Sequence, residues 1–252
     1  QAVIKIRRID NNTSFFIKSN YKTAIFKSFY EKLLYTHIQI KTMSQILVFG
    51  ASIVYGAWDR EGGWVSRLRK IIDKKNLAED DFSGKDFYWL VYNLGIDGNN
   101  TKDLLERFEP EIKARLWPGE ETIIILSAGV NDSLYDNTKK TFAVPPDKYE
   151  QNLQKLVTIA KKYTPKIIFV SSPPVDGSRT DPVPWAENCS YLQKYIRTYG
   201  NIAKEICKKN KIPFVDVRDE LDNDVLEDGV HPNSEGHEII FKNVWPVLER
   251  FL

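Results

Sequence analysis

From residue 43 to the C-terminus, short runs of β-branched and apolar residues alternate with longer stretches in which apolar residues return every three or four positions. Strands that alternate with helices are joined by crossovers, so this pattern restricts the chain to a parallel sheet wrapped by helices. The five runs are Ile46–Phe49, Tyr88–Asn93, Thr122–Ser127, Ile167–Ser171 and Pro213–Val217. Three of them are nearly all apolar, as strands covered on both faces should be. Helices are expected near 62–76, 101–115, 147–162, 188–209 and 234–251, with Thr101 and Ser234 as N-caps and Pro118-Gly119 closing off the second helix. The expected architecture is a three-layer α/β/α sandwich on a five-stranded parallel sheet. Such sheets bind ligands at the carboxyl ends of their strands, which directs attention to the residues just after each run.

A chain of 252 residues, 42% hydrophobic, can bury one substantial core, and 43–252 is read as one domain. No apolar run approaches the ~20 residues that cross a bilayer, so no membrane span is expected. Residues 1–42 carry eight Lys/Arg against two acidic residues, a net charge of +6. The remainder, with 28 basic and 32 acidic residues, is at −4 and offers no overall basic surface for a phosphate backbone, so nucleic acid is not expected as a partner. The only methionine, Met43, directly precedes the first strand run. Residues 1–42 are therefore expected to be a basic extension, disordered or non-native, without the apolar stretch and cleavage site of a secretory signal.

Cys189 and Cys207, the only cysteines, both fall within the expected 188–209 helix. Eighteen helical positions span about 27 Å, beyond disulfide reach. Reduced thiols and the absence of an export signal make the cytoplasm the expected compartment. Ser172–Glu187, with Pro173-Pro174, Pro182 and Pro184, reads as a loop beside the strand ends, either a plain surface excursion or a lid over a substrate. Nothing in the sequence fixes an oligomeric state.

The strand ends gather polar groups suited to acyl transfer: Gly50-Ala51-Ser52, Asn93-Leu94-Gly95, Gly129-Val130-Asn131-Asp132 and, near the C-terminus, Asp228-Gly229-Val230-His231. A serine hydroxyl is a poor nucleophile without a base. His231 can supply one, and Asp228 three residues earlier can hold its ring in the useful tautomer. The N–H groups of Ser52 and Gly95 and the side-chain amide of Asn131 could converge on one oxyanion. Gly98 reads as a turn glycine and Asp132 as a supporting residue. His237 reads as a surface or packing residue, and Tyr55, Trp58, Trp64 and Trp185 as core or rim packing near the site.

Ser52, Gly95, Asn131 and His231, in this order and each at a strand end, resemble the four blocks of the SGNH hydrolase superfamily (GDSL-type esterases and lipases). The resemblance covers nearly all of 43–252, including Trp64-Val65 and Leu68 after the first block. Where the family's first block commonly reads Gly-Asp-Ser-Leu, this chain has Ala51 and Ile53 around Ser52, so the hydrogen bonds of an aspartate at 51 are missing.

The resemblance implies a flavodoxin-like hydrolase fold and a serine esterase acting on carboxylic esters or thioesters. Its substrate would be a small-molecule ester: an acylated sugar, a lipid or a short-chain ester. The potential ligands Asp132, Asp228, His231 and His237 match no familiar zinc spacing and the cysteines lie elsewhere, so no metal and no cofactor are expected; transfer of the acyl group to an alcohol stays open. The rival readings are a flavodoxin-like phosphate binder and a catalytically silent protein that binds acylated ligands. The first lacks a phosphate-cradling glycine motif and leaves the Asp-X-X-His pair unexplained, and the intact set of catalytic residue types argues against the second.

Overall fold

The computed structural model describes residues 43–78 and 88–252, so the expectation for residues 1–42 lies outside the described residues. In chain order the strands are β1 (Ser44–Gly50), β2 (Trp89–Gly95), β3 (Thr122–Leu126), β4 (Tyr135–Asp136), β5 (Thr141–Phe142), β6 (Ile167–Val170), β7 (Cys189–Ser190) and β8 (Phe214–Val215). The helices are α1 (Ser52–Tyr55), α2 (Gly63–Ala78), α3 (Thr101–Arg115), α4 (Pro146–Ala160), α5 (Gly177–Thr180), α6 (Gln193–Asn210) and α7 (Ser234–Leu248).

All five expected strands join one parallel sheet in the order β2-β1-β3-β6-β8. Because strand side chains alternate between faces, each central strand feeds two cores. Ile46, Val48, Ile123, Ile125, Ile168 and Val170 point to the face where Trp64, Leu68 and Ile72 of α2 meet Ile240, Val244 and Leu248 of α7. Leu47, Phe49, Ile124, Leu126, Ile167 and Phe169 point to the other, against Leu104, Phe108 and Ile112 of α3, Leu153 and Leu156 of α4, and Ala203 and Ile206 of α6. The sandwich is thus held by two apolar layers, and burial of each such side chain contributes ~1.5–3 kcal/mol.

Local chemistry moves several expected boundaries. The N-cap of α3 is Asn100, whose side chain accepts from Lys102 and Asp103 N–H while Asp103 answers to the Asn100 N–H in a capping box. Thr101 is not the cap, because its N–H and hydroxyl are both committed to Asp132. Asn233, not Ser234, caps α7 by accepting the Gly236 N–H. The helix expected from 188 begins only at Gln193, since Cys189–Ser190 pairs with β4 in a small antiparallel sheet, β5-β4-β7, that the apolar pattern does not announce. Cys189 therefore does not share a helix with Cys207, and both are free thiols. The Pro-rich 172–187 segment contains one helical turn, α5, capped by Asp176.

With β1 placed between β2 and β3, the chain crosses from β1 to β2 on one side and then from β2 past β1 to β3 on the other, which opens a crevice above the carboxyl end of β1. No helix among the described residues is long and apolar enough to cross a membrane.

Candidate active site

Above the end of β1, Gly50 lets the chain turn directly into α1. A β-carbon there would overlap the Val54 side chain and stand 2.8 Å from Ser127 O. Ser52 is the first residue of α1, and Ala51 before it provides no side-chain cap. The Ser52 N–H therefore has no partner within the helix. The Ser52 side chain lies in the crevice, with the residue only 2% exposed.

His231 arrives from the far end of the chain. Its Nε2 lies 2.9 Å from Ser52 Oγ and its Nδ1 lies 2.7 Å from Asp228 Oδ2. A 2.7 Å approach to a carboxylate requires the proton on Nδ1, which leaves the Nε2 lone pair facing the hydroxyl. Asp228 Oδ1 accepts the backbone N–H groups of Val230 (3.0 Å) and His231 (2.8 Å), so the Asp-X-X-His spacing closes its own turn. Burial works to raise the Asp228 pKa, but these bonds and the His231 ring outweigh it and hold the carboxyl well below the usual carboxylate range.

The loop carrying this pair is braced by the 172–187 segment. Arg179 donates to the carbonyls of Asn223 (3.0 Å), Leu226 (2.8 Å) and Glu227 (3.2 Å), and Asp176 N–H donates to Gly229 O at 2.8 Å. The segment that reads as an excursion or a lid is thus a structural support for Asp228 and His231.

Asn131, after β3, is held at both ends of its amide. Tyr191 OH donates to Oδ1 at 3.0 Å, and Nδ2 donates to Asn99 O at 2.9 Å, which leaves one Nδ2 hydrogen available. Asn131 and Ala51 line one small cavity together with Asn99, which brings the β3 loop against the Ser52 turn. Burial pushes the Tyr191 hydroxyl well above its usual range, so it remains a neutral donor.

Gly95 departs from its expected part. Its N–H is donated to Asn93 Oδ1 at 3.0 Å, and a β-carbon there would overlap the Tyr55 backbone nitrogen. Its smallness lets β2 approach α1. Gly98, in the left-handed region at φ 73°, is exposed with open space where a β-carbon would stand, and its N–H has no partner among the described residues. It adjoins Asn99, the residue that holds Asn131.

Asp132 ties the β3 loop to α3 through Thr101 N–H at 3.0 Å and the Thr101 hydroxyl, while its Oδ2 is buried without a partner. Burial, opposed by the Thr101 bonds, raises its pKa to about 6.

Sequence reasoning underrated two residues. His237 is fully buried, its Nδ1 accepting from Trp64 N–H at 3.3 Å, and burial lowers its pKa to about 4. Trp58, expected as packing, donates its indole N–H to Asp228 Oδ2 at 2.7 Å. Its sequence neighbourhood held no sign of this, because the partner is 170 residues away. Trp64 is core, whereas Tyr55 at the end of α1 and Trp58, Ile96 and Trp185 on loops are exposed apolar groups. Trp58 and Trp185 lie 5.8 and 6.3 Å from the His231 ring.

The buried neutral His237 predicts a pH effect on stability. Between pH 6.5 and about 4 the unfolded histidine is protonated and the folded one is not, so stability is complete above 6.5 and declines as pH falls through this window. Asp132 acts oppositely, because its raised pKa favours the folded state on acidification from about 6. The difference between the parent and His237→Gln in urea unfolding from pH 7 to 4.5 separates the two, and the parent should lose more stability than the variant.

The GDSL-like lipase/acylhydrolase family model matches residues 48–239. The acetylxylan esterase of Geobacillus stearothermophilus is 31% identical over 162 residues, covering 60% of this chain and 68% of that protein. The mouse isoamyl acetate-hydrolyzing esterase 1 homolog is 24% identical over 225 residues, covering 82% of each. Among solved structures, a variant of a Geobacillus stearothermophilus acetyl xylan esterase superposes with a TM-score of 0.61 at 24% identity, over 82% of this chain and 96% of the other. A lipase/acylhydrolase from Enterococcus faecalis gives 0.60 at 21% identity, over 83% and 97%. The likeness in structure shows a shared fold, and the sequence match over most of the chain shows descent: the chain belongs to the GDSL-like lipase/acylhydrolase family and is an SGNH-type hydrolase.

Proposed function

We propose that the protein is a serine esterase that cleaves carboxylic esters of short acyl groups through an acyl-Ser52 intermediate. The observation that carries this reading is the continuous hydrogen-bonded chain from Asp228 through His231 to Ser52, with links of 2.7 and 2.9 Å. In the acylation step His231 Nε2 takes the Ser52 hydroxyl proton as Oγ attacks the ester carbonyl, and Asp228 stabilises the imidazolium that forms. The imidazolium gives its proton to the departing alkoxide. A water then enters, loses a proton to His231 and releases the carboxylic acid from Ser52.

The oxyanion is stabilised by the Ser52 N–H and the free Nδ2 hydrogen of Asn131, whose amide Tyr191 and Asn99 hold against flipping. The glycine donor is assigned to Gly98 in place of Gly95, since the Gly95 N–H is engaged by Asn93. Residues 43–252 are proposed to form the whole catalytic unit, with 1–42 a dispensable extension.

The short-acyl preference rests on two relatives with different alcohol halves. The isoamyl acetate and acetylxylan esters in their names have an acetyl group in common. Hydrolysis of p-nitrophenyl acetate, butyrate and octanoate tests the assignment. The expected order of kcat/KM is acetate, then butyrate, then octanoate; octanoate as the best substrate would overturn the acyl assignment, and turnover of none would overturn the esterase itself.

A further inference from the structure

Trp58 occupies an unusual place for a large aromatic residue. Its backbone lies in the left-handed region at φ 65°, which a bulky side chain rarely adopts, and it is 62% exposed, so little packing recompenses that conformation. The turn is clamped on both sides of it. Ala57 N–H donates to Ser52 O at 3.0 Å, and Asp59 N–H donates to Gly56 O at 3.2 Å. The Asp59 carboxylate accepts from Glu61 N–H (2.9 Å), Gly63 N–H (3.0 Å) and the Arg67 guanidinium. Arg67 in turn donates to Ser234 O and Glu238 on α7, three residues beyond His231 and after. Backbone held in a sparsely populated region by its surroundings points toward a function for the residue it displays.

What Trp58 displays is an N–H aimed at Asp228 Oδ2, 2.7 Å away. The indole nitrogen is also 3.1 Å from His231 Nδ1, but that atom carries a proton and cannot accept, so the carboxylate oxygen is the shared acceptor of both N–H groups. With Val230 and His231 N–H on Oδ1, all four lone-pair sites of Asp228 are occupied by donors. The carboxylate can neither rotate nor draw further charge from the imidazole.

From this geometry, and resting on the esterase reading above, we propose that Trp58 is a positioning residue of the Asp228–His231 pair, its indole N–H fixing the carboxylate and limiting how strongly it holds the imidazolium. Other titratable groups facing the pair are Tyr191, which feels the Asp228 charge, and His237 on α7, which feels His231; Arg179 braces the neighbouring carbonyls. Tyr191, pushed well above its usual range by burial, and His237, lowered to about 4, stay neutral through the working range.

Trp58→Phe keeps the ring and loses the donor. The account expects kcat to fall about tenfold, the change that loss of one hydrogen bond to a charged group converts to, with KM unchanged. Freed of one donor, Oδ2 bears more charge toward Nδ1–H, so the His231 ring should titrate at higher pH. Proton NMR follows that ring directly, and with 3 histidines in the chain its signal is readily assigned. Trp58→Gly, which suits a left-handed φ, should keep or raise Tm while losing the same activity, a pairing that a purely structural tryptophan would not give. Parental kcat and His231 titration in Trp58→Phe, or activity losses that track Tm in both variants, would overturn the proposal. A parent protein that hydrolyses no ester would instead sink the esterase reading, and the NMR titration would still decide the part played by Trp58.

Discussion

Ser52→Ala is expected to lower kcat for p-nitrophenyl acetate by about 10⁶-fold while leaving the fold and Tm intact, because the hydroxyl is the atom that forms and breaks the acyl bond. The side chain is buried in the crevice but makes no packing contribution that alanine cannot replace. Its one side-chain partner in the site is His231 Nε2 at 2.9 Å. The loss should stop short of the uncatalysed rate, since the Ser52 N–H and Asn131 amide would survive the substitution and still stabilise an oxyanion formed by water attack. Serine and histidine act as one unit, so adding His231→Ala to Ser52→Ala should cost almost nothing more. Stopped-flow or steady-state hydrolysis of the single and double variants checks both expectations.

Asp228→Asn should lower kcat by about 10⁴-fold, and the reason lies in the donors that surround this side chain. Val230 and His231 N–H converge on Oδ1, which obliges the amide oxygen of an asparagine to face them. Its NH₂ group would then confront the Trp58 indole N–H and the His231 ring, donor against donor, where the carboxylate now accepts from both. The imidazole escapes by moving its proton to Nε2, and that nitrogen can no longer accept from Ser52. Measured kcat near the parental value would mean that Asp228 does not set the tautomer.

The sheet, its five strands and the flanking helices were legible because each strand is buried on two faces and each long helix on one, and burial writes its period into the sequence. Asp228 and His231 were legible for a different reason: three residues apart, they close a local turn whose geometry the spacing implies.

The features that escaped are those made by long-range or competing hydrogen bonds. Thr101 is a good N-cap by residue type, but Asp132, 31 positions away, takes its N–H and hydroxyl, and Asn100 caps the helix instead. In sequence Gly95 reads as the donor and Gly98 as a turn glycine; what sequence could not show is the Asn93 side chain engaging the Gly95 N–H. The two-residue strands β4, β5 and β7 are too short to show alternation, and they displaced the start of α6 by five positions from the expected 188. Trp58 gave no signal, since an exposed aromatic residue on a loop is ordinary until its indole is seen on a carboxylate.

The central claim, that Ser52 is the nucleophile, is tested most directly by treating the protein with a fluorophosphonate, which captures an activated serine as a stable phosphonyl ester, and mapping the adduct by mass spectrometry. The account predicts one adduct per chain, on the peptide containing Ser52, formed in step with the loss of p-nitrophenyl acetate hydrolysis and absent from Ser52→Ala. Hydrolysis that persists in protein fully labelled at Ser52, or labelling at another residue that tracks the loss of activity, would contradict it.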